Sequence, residues 1–125
     1  MNIPETLKYT KEHEWARLEG NIATIGITDY AQKELGDIVF VELPPVGKKT
    51  EAMKPCATIE AVKTVADVYA PFTGKVVEVN QELSASPQLL NQDPYERGWI
   101  LKSKLDLPEE WNNLLSPNEY QQLIG

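Results

Sequence analysis

The sequence predicts a mainly β fold, a flattened β-barrel or sandwich, with a short helix near residues 28–35 and helices at the C-terminal end. Three observations predict it. β-Branched and aromatic residues recur in short runs divided by turn residues, the signature of many short strands. The apolar period is close to two within those runs and changes to helical spacing over 28–35 and again in the tail. The proline-led, acid-rich helical segments come last, so helices are appended to a β core and do not alternate with strands. With 125 residues, 42% hydrophobic and 25% charged, the chain suits one domain spanning 1–125 with a real but modest core.

The elements follow in order. "HEWARLEGNIATIGI" reads as two strands joined at Gly20-Asn21, a turn pair. In "TDYAQKELGD", Thr28 or Asp29 can cap a helix, Tyr30, Ala31 and Leu35 share helical spacing, and Gly36 supplies a left-handed stop. "DIVFVELPPVG" returns to strand over Ile38 to Leu43 and must end at Pro44-Pro45, neither of which can donate to a ladder. Residues 44–56 read as a loop. Strands resume over Ala57 to Ala61, Val65 to Ala70 and Lys75 to Val79, with Pro71 and Gly74 marking a turn. "NQELSASPQLLNQDPYERG" is turn-rich, with one helical turn around Pro87 to Leu90, and "WILKSKL" closes the sheet. Pro108 begins a helical tail; "SPNE" then offers Ser116 as N-cap, Pro117 as first helical residue and Glu119 in the capping-box position.

Composition excludes several functions. Nineteen acidic against 12 basic residues give a formal charge of −7, so a phosphate-tracking surface would work against the field of the whole molecule and nucleic acid is not an expected partner. No segment approaches the ~20 apolar residues of a membrane span. The start "MNIPETLKYT" has neither signal-peptide nor transit-peptide character, which points to a soluble protein of bacterial-type cytoplasm; a mitochondrial matrix location requires a transit peptide already removed. Cys56 is the only cysteine and reads as a small half-buried apolar residue with no activating neighbour, and His13 is the only histidine, so no metal centre is expected.

One basic residue stands out in "IEAVKTVADVYAPFTG", residues 59–74. Glu60, Lys63 and Asp67 are spaced as a helical salt-bridge stripe would be, but six of residues 58–69 are β-branched, which favours strands. The apolar phase is more telling. It falls on Ala57, Ile59 and Ala61 before the lysine and on Ala66, Val68 and Ala70 after it. A two-residue hairpin loop joins positions of opposite parity on one face, so Val62-Lys63 is predicted as the loop, with Ala61 opposite Thr64 and Ile59 opposite Ala66. Val-Lys is a poor pair for the primed turns that such hairpins favour. An exposed lysine at a tip can be an ordinary surface or edge charge. It is also a suitable anchor for a carboxylic-acid cofactor, since a primary amine on a long stem forms an amide and becomes a mobile arm.

The residues around it resemble a known family. "EAVK" with Gly74 eleven residues after Lys63 is similar to the lipoyl-attachment motif, and Val62 and Thr64 stand where a biotin carrier has methionines. "YTKEHEW" (9–15), "ATIGITDYAQKELGDIVFVELP" (23–44), "ADVYAPFTGKVVEVN" (66–80) and "PYERGWILK" (94–102) extend the resemblance to the H proteins of the glycine cleavage system over about residues 8–125. That resemblance implies a monomeric, non-catalytic carrier with covalent lipoate on Lys63, attached by lipoylating enzymes for which Glu60 and Gly74 are determinants. It implies as partners the pyridoxal-phosphate P protein, from which the arm accepts an aminomethyl group of glycine, the tetrahydrofolate-using T protein, which takes it, and the flavin L protein, which reoxidises the dithiol. It places Glu14 and Asp67, and with less support from the residues themselves His13, along a cleft for the loaded arm. Here Ala61 stands where the family commonly has Ser and Thr64 where it has Ala, and Glu12 adds acid to the cleft mouth if it points inward. Two other readings stay open at this point: a relay that hands lipoyl groups to 2-oxoacid dehydrogenase lipoyl domains, and an interaction domain with Lys63 unmodified.

Overall fold

The computed structural model describes residues 1–125. Nine strands run in chain order as β1 (Lys8–Tyr9), β2 (Glu14–Glu19), β3 (Ile22–Ile27), β4 (Ile38–Glu42), β5 (Lys49–Thr50), β6 (Pro55–Ala61), β7 (Val65–Tyr69), β8 (Gly74–Val79) and β9 (Leu101–Leu105). They form a six-stranded sheet in the order β1-β2-β3-β9-β8-β5 and a three-stranded sheet in the order β4-β6-β7. The sheets enclose one core, to which Ile25, Val76 and Leu101 come from the larger and Val41, Ile59 and Val68 from the smaller. The expected sandwich is the observed architecture.

Local chemistry explains most of the elements. The β2–β3 hairpin turns at Gly20-Asn21, where only Gly20 takes a positive φ (64°), as a type II′ turn requires. Helix α1 (Asp29–Leu35) is capped by Thr28, whose hydroxyl accepts the Ala31 amide. Its end departs from the expected left-handed stop: Gly36 has φ 75° and ψ −151°, a region open essentially to glycine alone. Residues 44–56 are not all loop. Lys49–Thr50 pairs with β8, and β6 already begins at Pro55, where a strand's first residue tolerates proline.

The polar segment after β8 holds two short helices, α2 (Glu82–Ala85) and α3 (Leu89–Gln92), in place of the single predicted turn; both form because Leu83, Leu89 and Leu90 have core to enter. The tail opens with a 3₁₀ helix, Pro108–Asn113, and closes with α4 (Pro117–Ile124), whose Ser116 and Glu119 make the predicted capping box. Helix α4 docks through Tyr120, fully buried and stacked on Tyr9 of β1 at a centroid separation of 4.7 Å. With Leu7, Trp15 and Tyr95, these rings make a second buried cluster on the far side of β2 from the main core.

Trp15 needs one further concession from the chain. It sits opposite Gly26 across β2 and β3, and a Cβ there would lie 2.6 Å from the indole nitrogen. Gly26 therefore makes room for the ring, which donates to the Pro94 carbonyl at 2.9 Å.

Candidate functional site

The β6–β7 hairpin places Lys63 as its sequence phase requires. Ile59 pairs with Ala66 and Glu60 with Val65, and the Ala61 amide donates to the Thr64 carbonyl at 2.8 Å, which leaves Val62 and Lys63 as the loop. Neither residue has a positive φ, so the turn is not of the primed kind and needs no Asn or Gly. The Val62 amide donates instead to the Asp37 carbonyl at 2.9 Å, tying the tip to the start of β4. Val62 is 75% exposed and Lys63 is exposed beside it. The lysine stem does not stand straight out into solvent, however. Its Cε lies 3.5 Å from where a Cβ on Gly36 would be, so the stem passes beside the glycine that ends α1.

Beside the tip lies a cleft of about 290 Å³ between β2, α1 and the β6–β7 hairpin. Tyr30, Ala31, Glu34 and Leu35 line one wall, a spacing that puts them on one side of α1. The helical stripe read from the sequence thus faces a cavity as well as the core. Ile27, Ile59 and Ala66 supply apolar floor, and Glu12, His13, Glu14 and Asp67 supply polar groups. The resemblance-derived residues His13, Glu14 and Asp67 meet here, and Glu12 joins them. A second cavity of about 280 Å³ under Met53, Leu114 and Leu115 has no such convergence of carboxylates, since its one acid, Glu110, is taken up by Thr73.

Glu14 is 1% exposed, yet it faces no cation. One carboxylate oxygen accepts from the Thr10 hydroxyl at 2.5 Å and the other from the Tyr69 amide at 3.2 Å. Burial outweighs these bonds and raises its pKa from 4.5 to about 7. Such a group is poised to exchange its proton for a bound cation. Asp67, on edge strand β7, is exposed and makes the rim of the same cleft.

His13 owes its place to the β1–β2 turn. Thr10 amide to Glu14 carbonyl closes a three-residue loop, and His13 takes its last position with φ 73°, where hairpin loops of this length call for a left-handed residue. Its ring lies 4.8 Å from the Tyr30 ring and its Nδ1 is 2.9 Å from the Tyr120 hydroxyl. Burial lowers its pKa, with Glu12 and Glu34 acting the other way. Tyr120 also contacts the Thr28 hydroxyl at 2.7 Å, and burial pushes its phenol up to about 12, so it keeps its proton. One tyrosine of the C-terminal helix thereby fixes both the His13 loop and the cap of α1.

The remaining candidates lie outside the cleft. Glu60 is exposed on the outer face of β6, between Phe40 and Val65. Gly74 is buried at the start of β8, where a Cβ would stand 2.1 Å from the Lys104 carbonyl oxygen. Close backbone approach therefore demands a glycine there whatever else reads it. Cys56 is 7% exposed, and burial pushes its thiol up to about 12, in keeping with an inert core residue.

The chain matches the family described as "Glycine cleavage H-protein" over residues 7–125. It is similar to the glycine cleavage system H protein of Carboxydothermus hydrogenoformans, 52% identical over 98% of this chain and 94% of that one. Its identity to the H protein of Staphylococcus carnosus is 51% over all of this chain and 99% of that one. The crystal structure of a glycine cleavage system H protein from Mycobacterium marinum superposes with a TM-score of 0.90 at 37% identity, covering 98% of this chain and 99% of that one.

Proposed function

The chain belongs to the glycine cleavage H-protein family, the lipoyl carriers of the glycine cleavage system, and we propose that Lys63 is the residue that bears the lipoyl group. The observation that carries this reading is a juxtaposition: an exposed lysine on a hairpin tip whose stem passes beside the end of α1, the helix that walls an acid-lined cleft. An arm anchored there has an apolar wall, Ile27, Leu35 and Ile59, against which its hydrocarbon can lie, and carboxylates within the same hollow.

When bound, the lipoyl group supplies the disulfide–dithiol chemistry that accepts an aminomethyl group at the P protein, yields it at the T protein and is reset by the L protein. The protein's own residues act on what the arm carries. Glu14 and Asp67 hold an ammonium by charge-assisted hydrogen bonds, each worth roughly 1.5–3 kcal/mol. Arrival of a cation favours the ionised form of Glu14, which gives up its proton to solvent as the amine docks. His13, kept neutral by burial and held by Tyr120, closes the cleft's upper edge without adding a competing charge. The apolar floor limits water around the load. Glu60 and Gly74 serve lipoylation differently, Glu60 as an exposed determinant and Gly74 by letting β8 and β9 close beneath the hairpin.

On this reading residues 1–125 act as one non-catalytic carrier domain, monomeric, in the cytoplasm of a bacterium, as the bacterial relatives suggest. No helix is long and apolar enough to cross a membrane. The relatives' names favour the shuttle over a relay of lipoyl groups to other enzymes. Glycine–bicarbonate exchange by the P protein tests it: lipoylated protein should stimulate exchange and unmodified protein should not. Absence of stimulation by fully lipoylated protein would sink the shuttle.

A further inference from the structure

The three-stranded sheet has one face in the core and one that is largely exposed. Its outer positions form two cross-strand rows, Phe40–Glu60–Val65 and Glu42–Thr58–Asp67. Phe40 is 47% exposed and Val65 62%, and Val39 at the β4 bulge and Val62 at the tip are more than half exposed. All four are exposed near Lys63, and Glu60 stands between Phe40 and Val65 in their row. The charges on β4, β6 and β7 are Glu42, Glu60 and Asp67, with no basic residue among them, and Asp37 stands at the tip end. Exposed apolar side chains interleaved with carboxylates alone suit a protein-docking surface, and the sign of the charge selects a partner that brings basic side chains.

We propose that this outer face, with Phe40, Glu60 and Val65 across it, is the docking surface for the enzyme that acylates Lys63, and that the enzyme meets it with apolar side chains and with Lys or Arg opposite the carboxylates. The inference rests on Lys63 being the lipoyl-bearing residue. Reach decides among possible occupants. An enzyme that forms the amide must bring its acyl donor to Nζ, four methylenes from the backbone, and so must cover the tip and the strands behind it. Enzymes that work at the far end of a completed arm are under no such constraint. Acylation then removes the positive charge at the tip and the substrate amine with it.

The test is steady-state acylation by a lipoate–protein ligase supplied with lipoate and ATP, with the protein as varied substrate. For Phe40→Ser and Val65→Ser, KM for the protein should rise about tenfold with kcat within about twofold of wild type. Glu42→Lys should raise KM several-fold, and added salt should raise the wild-type KM. Ile22→Ser, on the other sheet and 36% exposed, should keep the wild-type value. Val62→Ser, at a position too exposed to disturb the core, repeats the measurement should Phe40→Ser unfold. Wild-type protein acylated on Lys63 while the face variants share its KM would overturn the docking surface and leave the lysine standing. Wild-type protein that gains no acyl group on Lys63 would overturn both.

Discussion

Lys63 stands by the end of α1 and Glu14 lines the cleft that α1 walls, yet the fold treats them in opposite ways. Lys63 sits on an exposed turn closed by the Ala61–Thr64 bond and tied by Val62 to Asp37, and its stem passes beside Gly36. Glu14 is buried, its two oxygens engaged by Thr10 and Tyr69, with its loop pinned through His13 to Tyr120. The tip contributes reach and little stability; the cleft contributes a fixed, partly dry receptor that costs stability to keep charged. A carrier needs both, because an arm must swing freely from one end and be held at the other.

The largest effect should come at the tip and be purely functional. Lys63→Ala is expected to abolish lipoylation and all carrier activity while leaving the thermal midpoint within about 1–2 °C of wild type, since surface changes of this kind move stability by ~0.5 kcal/mol or less. Unfolding of the variant would contradict the hairpin placement. Gly74→Ala should behave in reverse, losing about 3 kcal/mol or more in urea unfolding because its Cβ meets the Lys104 carbonyl. If it folds with wild-type stability yet resists lipoylation, the glycine is read directly by an enzyme and the packing account is wrong.

Glu14 should show itself in pH dependence. Its folded pKa of about 7 exceeds the ordinary 4.5, so between these values the folded state binds more protons than the unfolded chain. Its contribution is full below pH 4.5 and is lost as pH rises through about 7, by something of the order of 3 kcal/mol at most. Wild-type stability should therefore decline relative to Glu14→Gln across that window in unfolding titrations; parallel curves would mean that the carboxyl is ionised throughout. The smallest effect belongs to Tyr120→Phe, which keeps the stack on Tyr9 and loses the hydroxyl shared by His13 and Thr28. A cost of about 1 kcal/mol is expected, together with a displaced His13 imidazole resonance and pKa in NMR titration.

What the sequence made legible and what it hid divide along similar lines. The hairpin tip was readable because alternation is local: a parity change on either side of Val62-Lys63 specifies the loop, and the Ser116-to-Glu119 capping box is equally self-contained. The two-residue strands β1 and β5 carry no period and exist because of neighbours distant in sequence. The cleft's support was hidden for the same reason. His13 and Tyr120 are 107 residues apart, and nothing near either position announces their contact. Glu14 and Asp67 entered through resemblance to a family; the desolvation that raises the Glu14 pKa is a property of the folded surroundings. Gly74 read as a turn residue, and nothing in the sequence singled out Gly26, until the carbonyl and the indole that exclude a side chain were placed beside them.

The central claim is that the tip lysine is the anchor of a lipoyl arm, and peptide-resolved mass measurement of native protein from lipoate-replete cells tests it most directly. The account predicts a mass gain of one lipoyl group, confined to the peptide that contains Lys63 and absent from Lys63→Ala. A native sample with Lys63 unmodified, or with the group on another lysine, would contradict it.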